Sequence, residues 1–196
     1  MQIGLIGMSA KPLTLGHFSL IELASNECDK TYVFVSTSDR KRPGEIPILG
    51  STMHKIWQEE IEPIIPNNVI IDYGGVPIRK VYEMLGKASE AGNDNEDTFI
   101  IYSDPEDIEG NYPEKNRLKY FSNLVKNNQV EFRPVERSLT GGISGTKMRQ
   151  YLASNDMSSF IKGLPSGVNG EHIWQLLKQD INENMILRNY IKLLIS

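Results

Sequence analysis

A single cysteine, Cys28, is present among 196 residues, so the chain has no internal disulfide. This scarcity excludes a disulfide-stapled secreted scaffold and fits a reducing cytoplasm, where we expect the protein to reside. The N-terminus, MQIGLIGMSA, has no basic segment ahead of a long apolar core, and no apolar run approaches about 18 residues. We therefore expect neither a signal peptide nor a membrane span.

A surplus of positive charge is also missing. Lysine and arginine number 21 against 25 aspartate and glutamate residues, which gives a formal net charge of −4. Proteins that bind nucleic acid over a broad surface usually carry a basic surplus, so we expect no nucleic-acid partner. The charge leaves room for a local basic pocket that binds a small anionic ligand. Hydrophobic residues at 39% and charged residues at 23% describe an ordinary globular protein.

The sequence does contain an alternation of apolar, β-rich runs with helical patterns. Strands are predicted at Gln2–Ile6, Thr31–Ser36, Val69–Tyr73, Thr98–Tyr102 and Val130–Pro134. Helices are predicted at Leu15–Ser25, Ser51–Ile61, Ile78–Ala91 and Glu114–Lys126, with Ser51 as the cap of the second. Such alternation is typical of a parallel sheet with helices on both faces.

We predict an α/β fold, a Rossmann-like, doubly wound, five-stranded parallel sheet with a small C-terminal helical appendage. The main domain is predicted at residues 1–154, and residues 155–196 form a helical extension packed on it. Breaks around Gly163–Pro165 precede a predicted pair of amphipathic helices in this extension. Trp57 and Trp174, both in helical patterns, are predicted to anchor a core or an interface.

The first predicted strand runs into the turn Gly7–His17, and a helical pattern leaves this turn. A strand that ends in such a turn and opens into a helix brings unpaired backbone N–H groups together, which attract anions. Thr14 and His17 are three residues apart at the helix start, so both can face one anion. The other residues predicted to bind a phosphate share this turn: Gly7, Met8, Ser9 and Gly16.

A second turn of this kind is Gly141–Arg149. Ser144 is placed to cap a helix, Thr146 lies in its first turn, and Gly145 lets the backbone approach a ligand closely. Arg149 projects one turn further along and can hold two phosphate oxygens at once, which a lysine cannot do. The two turns together predict a two-sided clamp for a triphosphate.

Thr-x-Gly-His, at Thr14–His17, and Ile-Ser-Gly-Thr-x-x-Arg, at Ile143–Arg149, resemble the paired signatures of the nucleotidylyltransferase superfamily. That group includes adenylyltransferases for nicotinamide mononucleotide and phosphopantetheine, and cytidylyltransferases for phosphocholine and glycerol phosphate. The resemblance covers about residues 1–152, and the pair is more specific than either motif alone. The C-terminal remainder is similar, more loosely, to virus-encoded members of the group.

The resemblance implies that an acceptor phosphate attacks the α-phosphorus of a nucleoside triphosphate and that pyrophosphate leaves. It implies that His17 donates to the α-phosphate or to the bridging oxygen as charge builds. Thr14 stands where the commonest form of the motif has a histidine, and phosphopantetheine enzymes also carry a hydroxyl residue there. Ser144, Thr146 and Arg149 would hold the β- and γ-phosphates. Mg²⁺ would bridge phosphate oxygens mostly through waters, so no residue is predicted as a dedicated metal ligand.

A basic run after the second predicted strand is a candidate contact for the acceptor phosphate. Lys41 or Arg42 supplies the charge, and the sequence leaves the choice between them open. Arg79 and Asp104, which follow later strands, are weaker candidates on topology alone.

The two motifs point to different branches of the superfamily. Ile-Ser-Gly-Thr-x-x-Arg looks most like nicotinamide-mononucleotide adenylyltransferases, which act in NAD biosynthesis, whereas Thr-x-Gly-His leans towards phosphopantetheine adenylyltransferase. Cytidylyltransferases more often have a second hydroxyl residue where Gly145 stands. We expect adenylyl transfer from ATP, with nicotinamide mononucleotide as the favoured acceptor.

The alternatives are cytidylyl transfer, a nucleotide-binding module without turnover, and a relation to class I aminoacyl-tRNA synthetases. Relatives are commonly oligomers, so self-association is also expected.

Overall fold

The computed structural model describes residues 1–92, 96–136 and 143–195, with side chains described up to residue 182. The start of the second predicted turn, Gly141 and Gly142, lies outside the described residues. The chain forms two compact units. Unit one is Met1–Ala10, Leu15–Ser36 and Ile65–Gly142, and unit two is Lys11–Thr14, Thr37–Ile64 and Ile143–Ser196. The predicted domain boundary after residue 154 stays a prediction.

Unit one is built on a five-stranded sheet in the order β3-β2-β1-β4-β5, in which every neighbouring pair is parallel. The strands are β1 (Gln2–Met8), β2 (Lys30–Val35), β3 (Val69–Tyr73), β4 (Thr98–Ser103) and β5 (Val130–Pro134). The chain adds β2 and β3 on one side of β1 and then returns to add β4 and β5 on the other. This reversal places a topological switch point at the carboxyl end of β1. The predicted doubly wound α/β fold is confirmed.

Helices occupy most of the remaining chain. They are α1 (Leu15–Glu27), α2 (Gly50–Ile56), α3 (Pro77–Glu90), α4 (Pro105–Asn111), α5 (Glu114–Tyr120), α6 (Ser122–Lys126), α7 (Gly145–Ala153), α8 (Met157–Lys162) and α9 (Gly170–Ile195). A π-helical turn, Trp57–Ile61, and a 3₁₀ turn, Glu62–Ile64, extend α2. The strand-to-helix alternation that the sequence predicts is therefore present along unit one.

Successive side chains of β1 point to opposite faces of the sheet. Ile3 and Leu5 are buried in a core that includes Val81 and Leu85 of α3. Ile6 is buried on the opposite face, the one that α1 covers. Burial of each such side chain contributes about 1.5–3 kcal/mol to the folded state, so both faces of this central strand stabilise the sheet.

Unit two has its own apolar core, formed by helices and the turn that extends α2. Trp57 and Trp174 are 1% and 7% exposed, which confirms that both are core residues. Phe160 of α8 is fully buried and packs edge-on against Trp174, with ring centroids 5.3 Å apart. Other buried members are Leu13, Ile48, Met53, Ile56, Ile61, Met148, Leu152, Leu164, Ile173 and Leu177.

The prediction that Ser51 caps the second helix is wrong. The helix α2 begins at Gly50, and no side chain of the preceding residue caps it. Instead, the Asp39 carboxylate accepts a hydrogen bond from the Gly50 N–H at 2.8 Å. A side chain at Gly50 would overlap the carbonyl of Thr37, so the backbone there is packed too closely for any residue but glycine.

Two predicted helix boundaries differ from the structure. The helix predicted over Glu114–Lys126 is divided into α5 and α6 at Phe121, which has φ −148° and ψ 45°. Phe121 is fully buried, so the chain leaves the helical conformation where this ring enters the core. The predicted pair of C-terminal helices is the single helix α9, because no glycine or proline interrupts the chain after Gly170.

Among the described helices, none has both the length and the apolar character needed to cross a membrane.

Candidate active site

The end of β1 carries the start of the first predicted phosphate turn. Gly7 and Met8 are the last residues of the strand, and Ser9 follows as an exposed residue. A Cβ on Gly7 would lie 3.1 Å from Ile78 Cδ1, so the absence of a side chain lets the first turn of α3 pack against β1. Gly7 therefore has a packing role, and the predicted contacts of this strand end with a nucleotide stay predictions.

The helix after this turn begins where the sequence predicts. Gly16 and His17 lie in the first turn of α1 and are half-buried, and that turn contains no acidic residue that would repel an anion. Thr14, directly before the helix, is 1% exposed. Ala10 precedes these residues with φ +44°, a left-handed conformation that is uncommon for a residue with a side chain. The catalytic roles predicted for His17 and Thr14 stay predictions.

The second motif opens α7, as predicted. Ser144 is the N-cap, and its hydroxyl oxygen accepts a hydrogen bond from the Lys147 N–H at 3.1 Å. Thr146 lies in the first turn with an exposed position, and Arg149 follows one turn later. The local geometry of the motif thus matches the helix start that the sequence predicts, while its binding of a nucleotide stays a prediction.

Arg149 links the second motif to the segment Lys11–Thr14 within unit two. Its Nη1 donates to the carbonyl oxygen of Lys11 at 2.8 Å, across 138 residues of sequence. Its Nη2 donates to Thr146 Oγ1 at 2.9 Å. Arg149 is 5% exposed, and its contact with Lys11 is buried, where a charged hydrogen bond is strong. The segment Lys11–Thr14 and the start of α7 are therefore held together through one side chain.

Gly145 lies beside this link. A Cβ on Gly145 would be 3.3 Å from Arg149 Nη1 and 3.7 Å from the carbonyl oxygens of Lys11 and Pro12. Any side chain here would crowd the guanidinium and the backbone that it contacts. The glycine of Ile-Ser-Gly-Thr-x-x-Arg thus permits the close approach of α7 to the backbone of Lys11 and Pro12.

The chain between β2 and α2 brings further charged groups to Arg149. Glu45 Oε2 lies 2.9 Å from Arg40 Nε and 3.0 Å from Arg149 Nε, and Glu45 Oε1 accepts from Arg40 Nη2 at 3.2 Å. Backbone hydrogen bonds between Arg40 and Ile48, at 2.8 and 3.0 Å, close the base of this segment. We call Lys11, Arg40, Glu45, Thr146 and Arg149 the Arg149 cluster.

The predicted acceptor contacts lie on the same segment. Lys41 is 55% exposed and forms an ion pair with Asp39 at 2.7 Å. Arg42 is exposed, and its positive charge acts on Arg149. Both residues follow Arg40, a member of the Arg149 cluster, directly in the chain. The choice between them as the acceptor contact stays open.

Burial and like charge disfavour the charged forms of the two most buried cations. The pKa of Lys11, which is 4% exposed, is lowered by burial and by Arg40, and Asp39 opposes this shift. The pKa of Arg149 is lowered first by burial and then by the neighbouring charge of Arg40, while Glu45 opposes the change. A bound anion would relieve both effects, so the cluster is electrostatically suited to phosphate.

The weaker candidates have structural partners. Arg79 is 77% exposed and pairs with Glu83 one turn along α3. Asp104 is the N-cap of the short helix α4 and accepts from the Asp107 N–H at 2.8 Å, so its carboxylate has a structural role. Within the described residues, no group of three or more histidine, cysteine, aspartate or glutamate side chains could hold a metal ion.

Sequence reasoning missed the role of Glu45. Its partners, Arg40 and Arg149, are distant from one another in the chain, and no motif spacing connects a glutamate in this loop to the arginine of the second motif. The nearest sequence signal is a lone glutamate after three consecutive basic residues, Arg40 to Arg42. Ion pairing within that run was predictable, whereas the shared contact with Arg149 depends on the fold.

The fold is shared with solved adenylyltransferases. Nicotinic acid mononucleotide adenylyltransferase from Plasmodium falciparum, solved in complexes with NaAD and with APC, superposes with TM-scores of 0.56 and 0.57 at 17% and 18% identity. The two alignments cover 90% of this chain and 97% and 96% of those chains. A bifunctional NMN adenylyltransferase/ADP ribose pyrophosphatase from Francisella tularensis matches with a TM-score of 0.57 at 15% identity, over 99% of this chain and 56% of that one. At identities this low, the superpositions establish a shared fold only.

Matches from sequence alone are shorter. The family model of the citrate lyase ligase C-terminal domain matches residues 3–45, which include most of β1, the first motif and part of the loop that contains Glu45. Gingipain R2 of Porphyromonas gingivalis is 28% identical over 93 residues, which cover 42% of this chain. The chain spans only 13% of the length of that protein.

Proposed function

We propose that the chain is a nucleotidylyltransferase that transfers AMP from ATP to a small phosphorylated acceptor, with nicotinamide mononucleotide as the favoured acceptor. One observation carries the proposal: Arg149 of the second motif donates to the backbone of Lys11, three residues before the first motif, and both residues are buried in a cluster with excess positive charge. The segment Lys11–Thr14, which precedes the first helix, and the start of the second motif are thus joined within unit two. The fold shared with solved adenylyltransferases supports the same assignment.

The proposed chemistry is a single displacement. An oxygen of the acceptor phosphate forms a bond to the α-phosphorus of ATP, and the bond between that phosphorus and the α,β-bridging oxygen breaks. The electron pair leaves with pyrophosphate, so the chain need not form a covalent intermediate. Its residues need to align the reactants and stabilise the charge that develops.

Residues of this chain have separate proposed roles in that step. His17, half-buried in the first turn of α1, donates a hydrogen bond to the α-phosphate. Thr14 supports the same group through its hydroxyl. Arg149, with the exposed Thr146 and the capping Ser144, holds the β- and γ-phosphates. Lys41 or Arg42 orients the acceptor phosphate.

The donor set around Arg149 does not fit a protein-held magnesium site. The carboxylates of Asp39 and Glu45 are already paired with Lys41 and Arg40, and the surrounding charge is positive. We therefore propose that Mg²⁺ enters with the triphosphate and is held by phosphate oxygens and water, a mode that suits this ion. We assign no step to a metal ligand from the chain.

Pyrophosphate release tests the function. The protein is incubated with Mg²⁺, ATP or CTP and a panel of acceptors, including nicotinamide mononucleotide, nicotinate mononucleotide and 4′-phosphopantetheine. We expect release with ATP and one mononucleotide acceptor, and little release without an acceptor. No release with any pair, under conditions where a known adenylyltransferase is active, would contradict the enzyme assignment and leave a nucleotide-binding module as the alternative.

A further inference from the structure

We propose that Arg40 and Arg149 together bind one phosphate group of the nucleotide, at the position where the Glu45 carboxylate lies in the free chain. Glu45 is then an internal competitor that must leave when a polyphosphate binds. The identity of the ligand as a nucleoside triphosphate rests on the proposed function, whereas the anion site itself rests on the contacts of unit two.

The first support is the geometry of the shared carboxylate. Glu45 Oε2 contacts the Nε atoms of both arginines, at 2.9 and 3.0 Å, and Glu45 Oε1 contacts Arg40 at 3.2 Å. Two guanidinium groups converging on one set of oxygens is the arrangement by which proteins bind phosphate. A phosphate group offers more oxygens and more charge than a carboxylate, so it should bind the two arginines more strongly than Glu45 does.

The second support is an imperfect contact. Arg149 Nε lies 3.0 Å from Glu45 Oε2, an ion-pair distance, but does not meet the geometry of a hydrogen bond to any acceptor among the described residues. Because Arg149 is 5% exposed, water does not readily compensate this donor. Arg40, by contrast, has a two-point contact with the same carboxylate. The Glu45 carboxylate therefore meets the hydrogen-bonding capacity of Arg40 well and that of Arg149 poorly. This is expected if the carboxylate occupies a position that a phosphate group takes when the ligand binds.

The third support is that Glu45 can leave without disturbing the fold. It lies near an exposed turn at Gly44, which has φ +76° and no atom within 4 Å of the position that a Cβ would occupy. The side chain of Glu45 is 27% exposed, so solvent is directly accessible to it. Arg40 stays in place when Glu45 moves, because its backbone pairs with Ile48.

Internal competition has a quantitative signature. If the site accepts an anion only after Glu45 departs, the apparent affinity of every such anion is reduced by the same factor, the fraction of chains with an open site. Replacing Glu45 by glutamine, which keeps its shape and removes its charge, should tighten binding of tripolyphosphate and of orthophosphate equally. The Glu45 side chain of this ion pair is 27% exposed, so the loss of its charge should change each dissociation constant about fivefold.

Calorimetric titration of the intact chain with inorganic tripolyphosphate and with orthophosphate, without nucleotide or acceptor, tests the proposal. In Glu45→Gln, we expect dissociation constants about fivefold lower for both ligands. In that same background, a further Arg40→Gln change should weaken tripolyphosphate binding about tenfold, because a charge-assisted contact is lost. The exposed residues Glu59 and Lys55 supply charge-matched controls, Glu59→Gln and Lys55→Gln, which should leave both dissociation constants within twofold.

Unchanged or weaker tripolyphosphate binding by a folded Glu45→Gln protein would overturn the proposal, since Glu45 would then position the arginines and not compete for them. An Arg40→Gln change that has no effect in the Glu45→Gln background would also overturn it. If Glu45→Gln does not fold, the NMR signals of the arginine Nε groups in the wild-type chain test the proposal instead. Saturating tripolyphosphate must shift the Arg40 signal, and an unshifted signal contradicts the proposal. Failure of nucleotidyl transfer would leave these binding results intact, so the two proposals fail separately.

Discussion

Replacing Arg149 by lysine separates the shape of the guanidinium from its charge. Arg149 donates from Nη1 to Lys11 at 2.8 Å and from Nη2 to Thr146 at 2.9 Å. A lysine keeps the charge but has one nitrogen, so it cannot make two diverging contacts from a fixed fork. Loss of one buried hydrogen bond from a charged group costs about 1.5–3 kcal/mol, so Arg149→Lys should lower the free energy of unfolding by about 2 kcal/mol.

Urea denaturation measures that free energy, and pyrophosphate release measures the transfer rate of the same protein. We expect the rate to fall about 100-fold, the lower end of the cost of removing one charge-stabilising donor. Arg79→Lys is the matched control for stability, because Arg79 is 77% exposed and its single helical ion pair contributes little. Its free energy of unfolding should stay within about 0.5 kcal/mol of the wild type. An Arg149→Lys protein with wild-type stability and rate would refute the role of the two diverging guanidinium contacts.

Three further predictions concern separate parts of the chain. His17→Ala should lower the transfer rate about 100- to 1000-fold while the melting temperature changes little, and a normal rate would remove His17 from the reaction. Phe160→Ala should cost about 3–5 kcal/mol in urea denaturation because the ring is fully buried, and a loss below about 1 kcal/mol would contradict its place in the core of unit two. The pKa of Asp39 is lowered by hydrogen bonds from Lys41 and the Gly50 N–H. Asp39 therefore stabilises the fold above its unfolded pKa of about 3.9, and this contribution disappears as pH falls through its lower folded value. Asp39→Asn should accordingly show a smaller drop in melting temperature between about pH 6 and pH 3, and an unchanged drop would contradict the linkage.

Much of unit one is predictable because its interactions are local in sequence or follow from periodicity. The runs that form β3 and β5 coincide with the predicted strands, although both lie at the edges of the sheet and combine half-buried with exposed side chains. Their β-branched and aromatic residues are typical of strands. The start of α1 follows from the turn chemistry around Thr14, and the cap at Ser144 follows from the preference for hydroxyl side chains at that position. These are short-range preferences that tertiary contacts reinforce.

The remaining features depend on contacts between distant segments. The cap of α2 comes from Asp39, eleven residues before Gly50, which competes successfully with the nearby Ser51. The break at Phe121 reflects burial of one ring and carries no proline or glycine signal. The contact of Glu45 with Arg149 is of the same kind, because sequence patterns predict that each residue is polar but not that they meet.

Within the candidate site, the sequence predicts the second motif but not its contact with the segment Lys11–Thr14. Thr146 is predicted in the first turn of a helix and Arg149 one turn further along, and the structure agrees. That Arg149 would reach the backbone of Lys11, and that Lys11 itself would be buried at 4% exposure, required the folded chain. The acceptor specificity has no comparable signal, because it depends on side chains around a ligand whose shape the motifs do not encode.

Transfer of radiolabel from ATP tests the proposed activity most directly. The wild-type chain and the His17→Ala variant are incubated with ATP labelled at the α-phosphate, Mg²⁺ and nicotinamide mononucleotide, and the products are separated. We predict that the wild type moves the α-label into a dinucleotide and releases unlabelled pyrophosphate, and that the variant does so at least about 100-fold more slowly. Label that stays in ATP, or appears only in ADP or AMP with every acceptor in the panel, would contradict nucleotidyl transfer by this chain.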